Sequence, residues 1–336
     1  MLLLSFGGPE GPDDVMPFLR NVVRGRGVPE ERLLEVAEHY QHFGGVSPIN
    51  EQCRQLLAAL EPALREVGID QPIYWGNRNW TPHLADTLAR MRDDGVRHAL
   101  AFVTSPFGSY SSCRQYLDDL VATRAAVDGA PSVDKIRHYH DHPGFVEPLA
   151  DGVRAALTAL GPVSNPRLVF TAHSIPTAMA ASSGPDGGRY EAQLRETAAL
   201  VAAPTSLDWD LVWQSRSGPP HVPWLEPDIN DHLATLAEAG ADGVVISPIG
   251  FISDHLEVVW DLDTEAAATA SKLGLRVERA ATPGNDPRFI AMIRDLIRER
   301  LDPGFPRAHL GDVPTWDTCP AACCPAPAAE ARRSGL

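Results

Sequence analysis

Gly243-Val-Val-Ile-Ser247-Pro-Ile-Gly-Phe-Ile-Ser-Asp-His-Leu-Glu257-Val-Val-Trp-Asp261-Leu-Asp-Thr-Glu265 decides the fold of this chain. Its first five residues are a short apolar run rich in β-branched side chains, the pattern of a buried strand. Pro248 and Gly250 turn the chain, and a helical pattern follows. Glu257, Asp261 and Glu265 recur at i, i+4 and i+8, which predicts a row of carboxylates on one helical face. Like charges at that spacing repel. A metal ion or a proton visiting the row would relieve them; a solvated helix face is the plainer reading.

The same strand-then-helix alternation extends outward through the chain. Apolar runs occur at Leu2–Phe6, Pro72–Gly76, His98–Thr104, Arg167–Ala172 and Leu211–Gln214. Strands separated by helices imply an α/β fold with parallel sheets. The two parts of the chain echo each other. The Leu2 run matches Leu168–Ala172 in placement, Ile73–Asn77 matches Leu211–Ser215, and Ala99–Phe107 matches Val244–Phe251. Two similar three-layer α/β halves follow, residues 1–150 and 151–305, with a Pro/Ala/Cys-rich tail over 306–336. Sites in such folds gather at the carboxyl ends of the strands.

Composition removes several function classes. Of 336 residues 44% are hydrophobic, enough for a proper core. The formal net charge of −15 argues against nucleic acid as a partner. No apolar run reaches the ~18–20 residues of a membrane span. The start, Met-Leu-Leu-Leu-Ser-Phe-Gly-Gly, reads as a first strand rather than a signal peptide, so a cytoplasmic location is expected. There is no GxGxxG after a strand, no Walker loop and no GxSxG elbow, so nucleotide binding and serine hydrolysis have no support.

The five cysteines should then not form disulfides. Cys319, Cys323 and Cys324 crowd into the tail, while Cys53 and Cys113 lie in the body. Three clustered thiols suggest soft-metal ligands, one short of four, unless the tail carries them incidentally. His173 ends the run Leu168–Ala172, and Glu257 also follows a strand end. A neutral imidazole can bind a divalent ion or accept a proton near pH 7, and a nearby carboxylate can do the complementary task.

Five segments together resemble the ferrochelatase family. They are Ser5-Phe-Gly-Gly-Pro9, Arg24-Gly25-Arg26, Tyr40 with Phe43-Gly-Gly-Val-Ser-Pro48, Thr171-Ala-His-Ser-Ile-Pro176, and Gly250-Phe-Ile-Ser-Asp-His-Leu-Glu257. The likeness runs from Leu2 to about residue 300, with the motifs in order. It implies two Rossmann-like halves with a porphyrin cleft between them. The acidic, tail-bearing version is similar to the actinobacterial type, which implies insertion of Fe2+ into coproporphyrin III, giving coproheme for haem b synthesis. Protoporphyrin IX, or another tetrapyrrole and metal, is the alternative; a non-catalytic haem-binding protein is another.

The resemblance assigns roles residue by residue. His173 and Glu257 take the metal-site positions, with Asp261 and Glu265 leading away as an ion or proton path. Ser47 and Tyr116 take positions that hold substrate carboxylates. Arg24 and Arg26 match a basic loop near the propionates, beside His39 and Tyr40. Phe6, Trp260, Phe107 and Phe251 are candidate walls for a flat macrocycle. Many bacterial members carry tyrosine where this chain has Phe6, which offers no axial oxygen. The tail is similar to that of members holding a [2Fe–2S] cluster on Cys319, Cys323 and Cys324, with Cys113 as fourth ligand and Cys53 as the alternative. The expected partners are coproporphyrin III and ferrous iron alone, acting on a monomer.

Overall fold

The computed structural model describes residues 1–327; residues 328–336 of the expected tail segment lie outside the described residues. The chain forms two compact units, one of Met1–Thr104, Tyr116–Ile136 and Ser253–Leu256, the other of Ser105–Gln115, Arg137–Ile252 and Glu257 onward. The helix Pro143–Leu160, which spans residue 150, lies wholly in the second unit.

The first unit holds strands β1 (Leu2–Ser5), β2 (Tyr74–Asn77), β3 (His98–Val103) and β4 (Ser132–Lys135) in one parallel sheet of order β2-β1-β3-β4. Helices Ile49–Arg65, Leu84–Asp93 and Gln115–Ala126 supply the crossovers that parallel pairing requires. β1 is buried at every position, as a central strand covered on both faces must be. Leu2, Leu4, Leu84, Leu88, Met91 and Tyr116 meet on one side of this sheet.

The second unit repeats the plan. Strands β5 (Pro166–His173), β6 (Trp209–Gln214), β7 (Gly243–Ser247) and β8 (Arg276–Arg279) pair in parallel in the order β6-β5-β7-β8. This order is that of the first sheet, so the internal echo in the sequence is an echo of topology. The apolar runs mark β1, β2, β3, β5, β6 and β7. β4 and β8 carry Ser-Val-Asp-Lys and Arg-Val-Glu-Arg and have no apolar run to betray them. Both are edge strands, where charged side chains block further pairing.

One expected element differs in kind. The stretch after β7 forms a short α-turn, Leu256–Val258, and then a π-helix over Val259–Ala266. Its i→i+5 bonding widens the turn, so Glu257, Asp261 and Glu265 do not stack as an α-helical row would. Asp261 is partly buried, while Glu257 and Glu265 are exposed. No helix among the described residues is long and apolar enough to cross a membrane.

Candidate functional site

In the second unit, adjacent strands deliver polar residues at their carboxyl ends. His173 is the last residue of β5 and pairs in register with Gln214, the last of β6. Ser215 follows at φ +61°. This left-handed conformation is unfavourable for a non-glycine residue, and such strain concentrates at functional sites. It aims the Ser215 hydroxyl at Asp261 Oδ2, in a short hydrogen bond. Gln214 Nε2 donates to the same oxygen at 3.3 Å.

The His173 ring is held from one side. Its Nδ1 lies 2.5 Å from the Ser174 carbonyl, an acceptor, so Nδ1 carries the proton in the neutral ring and Nε2 the lone pair. That Nε2 stands 3.7 Å from Glu257 Oε2, with the two side chains 35% and 48% exposed. Both can therefore reach a ligand. Behind the ring, Tyr190 donates its hydroxyl to the His173 carbonyl at 2.9 Å and stacks on Trp213, centroids 6.0 Å apart. Burial keeps the Tyr190 phenol far above its ordinary pKa, so it stays a donor.

Gly250 permits the close approach of the β7 loop. Its amide donates to the Thr171 carbonyl at 3.1 Å, and a Cβ there would sit 2.7 Å from Ala172 Cα. Only glycine lets this loop lie against the end of β5.

Burial pushes the Asp261 carboxyl up to about 7. The hydrogen bond from Ser215 pulls against it, and the charges of Glu257 and Glu265 add to it. The trio is therefore an aqueous-facing carboxylate, a carboxyl poised to exchange a proton near neutrality, and a second exposed carboxylate. Such a set can pass either a cation or a proton.

Other expected residues have other surroundings. Trp260 is half-buried beside Asp261 on the π-helix. Phe107 is 1% exposed and packs edge-on against Phe145 and Tyr190, so it fills the core rather than forming a wall. Phe251 packs against the apolar cluster around Val244 and Leu262. In the first unit, Phe6 meets Phe18 edge-on, and Phe18 meets the buried Tyr40. Arg24 and Arg26 are exposed and His39 half-buried; Arg24 bonds Asn21. Ser47 is buried, its amide bonded to the Pro9 carbonyl at 2.9 Å. Tyr116 is buried beneath the Arg78 guanidinium, 4.5 Å from its ring centroid, and Arg78 pairs with Asp119.

The cysteines separate into two kinds. Cys53 is buried on the helix Ile49–Arg65, and burial lifts its thiol to about 11, the state of an inert core thiol. The Cys323 and Cys324 sulfurs lie 3.7 Å apart. Hydrogen bonding to Cys319 and then to Cys324 pushes the Cys323 thiol far up. Gly184 donates its amide to Cys324 Sγ at 3.1 Å, and Arg114, next to the buried Cys113, donates to the Ala321 carbonyl at 3.0 Å. The expected four cysteines are all free thiols and are not arranged as a cluster site. Among the described residues, a group of three potential metal-ligating side chains is formed by His140, Asp141 and Glu196.

Ser215, Gln214 and Tyr190 are absent from the sequence-based expectations. Gln214 ends a recognisable strand matched by the internal echo, and that position was its signal. Ser215 and Tyr190 act through a backbone angle and a tertiary hydrogen bond, which leave no local trace.

The model of the ferrochelatase family matches residues 1–301. The chain belongs to the ferrochelatase family. Within that family, a protein of Nocardia farcinica named coproporphyrin III ferrochelatase is 56% identical, over 96% of this chain and 96% of its own length. One of the same name from Streptomyces griseus is 53% identical, over 100% of this chain and 95% of its own. A protein of Rhodopirellula baltica named ferrochelatase is also 53% identical, over 96% and 92%. Among solved structures, SirB from Bacillus subtilis with Fe3+ is similar in fold, with a TM-score of 0.52 and 13% identity, over 90% of this chain and 97% of that one.

Proposed function

We propose that this protein inserts Fe2+ into coproporphyrin III, giving Fe-coproporphyrin III, as a cytoplasmic monomer. The observation that carries the reading is the identity of 53–56% over nearly the whole chain to proteins named coproporphyrin III ferrochelatase. The pairing of His173 with Glu257 supports it chemically.

Metal insertion releases two pyrrole protons and needs a base beside the ring. His173 Nε2 is that base: its lone pair faces outward because Nδ1–H is taken by the Ser174 carbonyl. Once protonated, the imidazolium gains the facing Glu257 carboxylate at 3.7 Å, which favours the proton transfer. Asp261 then receives or relays a charge, since its carboxyl changes state near neutral pH, and Glu265 leads on to solvent. Arg24 and Arg26, which are exposed, with His39, Tyr40, Ser47 and Tyr116, are the proposed contacts of the propionates, and Phe6 and Trp260 those of the macrocycle.

A finer reading adds a [2Fe–2S] cluster on Cys319, Cys323, Cys324 and Cys113. What supports it is the crowding of three thiols into one short tail segment, of which Cys323 and Cys324 lie 3.7 Å apart; the four cysteines would have to rearrange to share a cluster. Such a group supplies a one-electron couple or a structural clip, and no step of the insertion runs through it.

Anaerobic ferrous insertion with purified protein, followed by absorbance, tests the proposal. Strong preference for coproporphyrin III over protoporphyrin IX is expected. The reverse preference overturns the substrate, and insertion into neither overturns the enzyme in favour of a haem-binding protein.

A further inference from the structure

His140, Asp141 and Glu196 each offer a ligand atom within 4.8 Å of the others. None of them belongs to the site at His173. His140 and Asp141 lie in the segment after β4, and Glu196 on the helix Arg189–Ala202. His140 is fully buried and Asp141 nearly so.

The imidazole is satisfied on one side only. Its Nε2 lies 2.9 Å from Glu196 Oε2, and a carboxylate there makes Nε2 the protonated nitrogen. Nδ1 then presents a lone pair. It has no hydrogen-bond partner, and neither has Asp141 Oδ1, which faces it at 4.0 Å. Nδ1 is thus a buried acceptor with no donor, which costs about 1–3 kcal/mol, while Asp141 Oδ1 has only the Arg137 guanidinium, 4.0 Å away, as a counter-charge. A proton on Nδ1 would not cure this, because 4.0 Å exceeds hydrogen-bond reach. A tetrahedral ion bound to both atoms at about 2.0–2.2 Å holds them about 3.4 Å apart, so the two side chains close on it by about 0.6 Å.

We propose that His140 Nδ1 and Asp141 Oδ1 hold a divalent transition-metal ion, with Glu196 orienting the histidine from behind. One imidazole and a carboxylate suit Zn2+, Fe2+ or Mn2+ better than Ca2+ or Mg2+. A carboxylate on the far nitrogen is the usual support of a ligating histidine.

The same residues grip the chain beyond the last helix. Glu196 Oε1 accepts the amides of Asp312 at 2.6 Å and Val313 at 2.9 Å, and the Asp141 carbonyl accepts that of Leu310 at 2.9 Å. The ion therefore fastens the segment Leu310–Val313, which leads to the tail cysteines. Its role is structural, separate from the iron that is substrate.

The test uses the full chain with Cys113, Cys319, Cys323 and Cys324 changed to serine together with His173→Ala, Glu257→Gln, Asp261→Asn and Glu265→Gln, which removes the other candidate ligands. After chelator treatment, Zn2+ alone is added, and bound metal is counted by equilibrium dialysis. One Zn2+ per chain is expected, with a rise in Tm and slower tryptic cleavage after Arg307. Adding Asp141→Asn or His140→Gln should weaken binding at least tenfold. The proposal is overturned if the background protein binds no Zn2+, or if both added substitutions leave binding unchanged. Should either variant fail to fold, the count and the cleavage rate in the background protein decide.

Discussion

His173 Nε2 and Glu257 Oε2 stand 3.7 Å apart, one at the end of β5 and the other at the turn that opens the π-helix. The gap is just beyond a direct hydrogen bond. A neutral histidine is therefore left with its lone pair uncommitted, and a protonated one finds a counter-charge beside it.

Asp261 sets the pH response. Its carboxyl is raised to about 7, above the ordinary carboxylate value, so it holds its proton below that pH and ionises as pH rises through it. Insertion rate should climb on an acid limb with an apparent pKa near 7. Asp261→Asn should remove that limb. Ser215→Ala deletes a hydrogen bond that favours the ionised form, so the limb should move to higher pH. Rate–pH profiles of the three proteins check this, and an unshifted limb in Ser215→Ala contradicts it.

Tyr190→Phe keeps the ring stacked on Trp213 but strips the hydroxyl from the His173 carbonyl. The loss leaves a buried carbonyl short of a donor, costing about 1–3 kcal/mol of stability. The insertion rate at saturating porphyrin should also fall, because the strand end that carries the base loosens. Denaturant unfolding and single-turnover kinetics read the two effects.

At Gly250, alanine would place a methyl group 2.7 Å from Ala172 Cα, against backbone that cannot swing away. Overpacking of this kind costs about 1–3 kcal/mol. Reduced Tm together with reduced insertion is the expected result; a shift in neither would mean the β7 loop has room that its contacts with β5 deny.

Cysteine chemistry should divide by place. Cys53, with its thiol raised to about 11, should alkylate slowly in the folded protein, and Cys53→Ala should keep whatever iron the purified protein carries. Cys323→Ser should lose that iron and its visible absorbance. Equal iron in wild type and Cys323→Ser would remove the cluster.

Much of this architecture is legible in the sequence because buried parallel strands are written in apolar residues. Leu2–Leu4 and Val244–Ile246 could hardly be anything else. β4 and β8 escape notice because these two edge strands, unlike β2 and β6 at the opposite edges, are written largely in polar and charged residues. The π-helix escapes because its residues satisfy an α-helical pattern as well as their own. His173 and Glu257 stand out by following strand ends. Ser215 does not, since its part depends on a φ of +61°. The mutual grip of His140, Asp141 and Glu196 is a product of tertiary folding, and no spacing in the chain announces it.

The most direct test is single-turnover insertion of Fe2+ into coproporphyrin III without oxygen, comparing wild type with His173→Ala. If His173 Nε2 takes the pyrrole protons, insertion should slow by about 10²–10⁴-fold, the usual contribution of a positioned base, while porphyrin binding, read by fluorescence, persists. Near-normal insertion by His173→Ala would contradict the account at its centre.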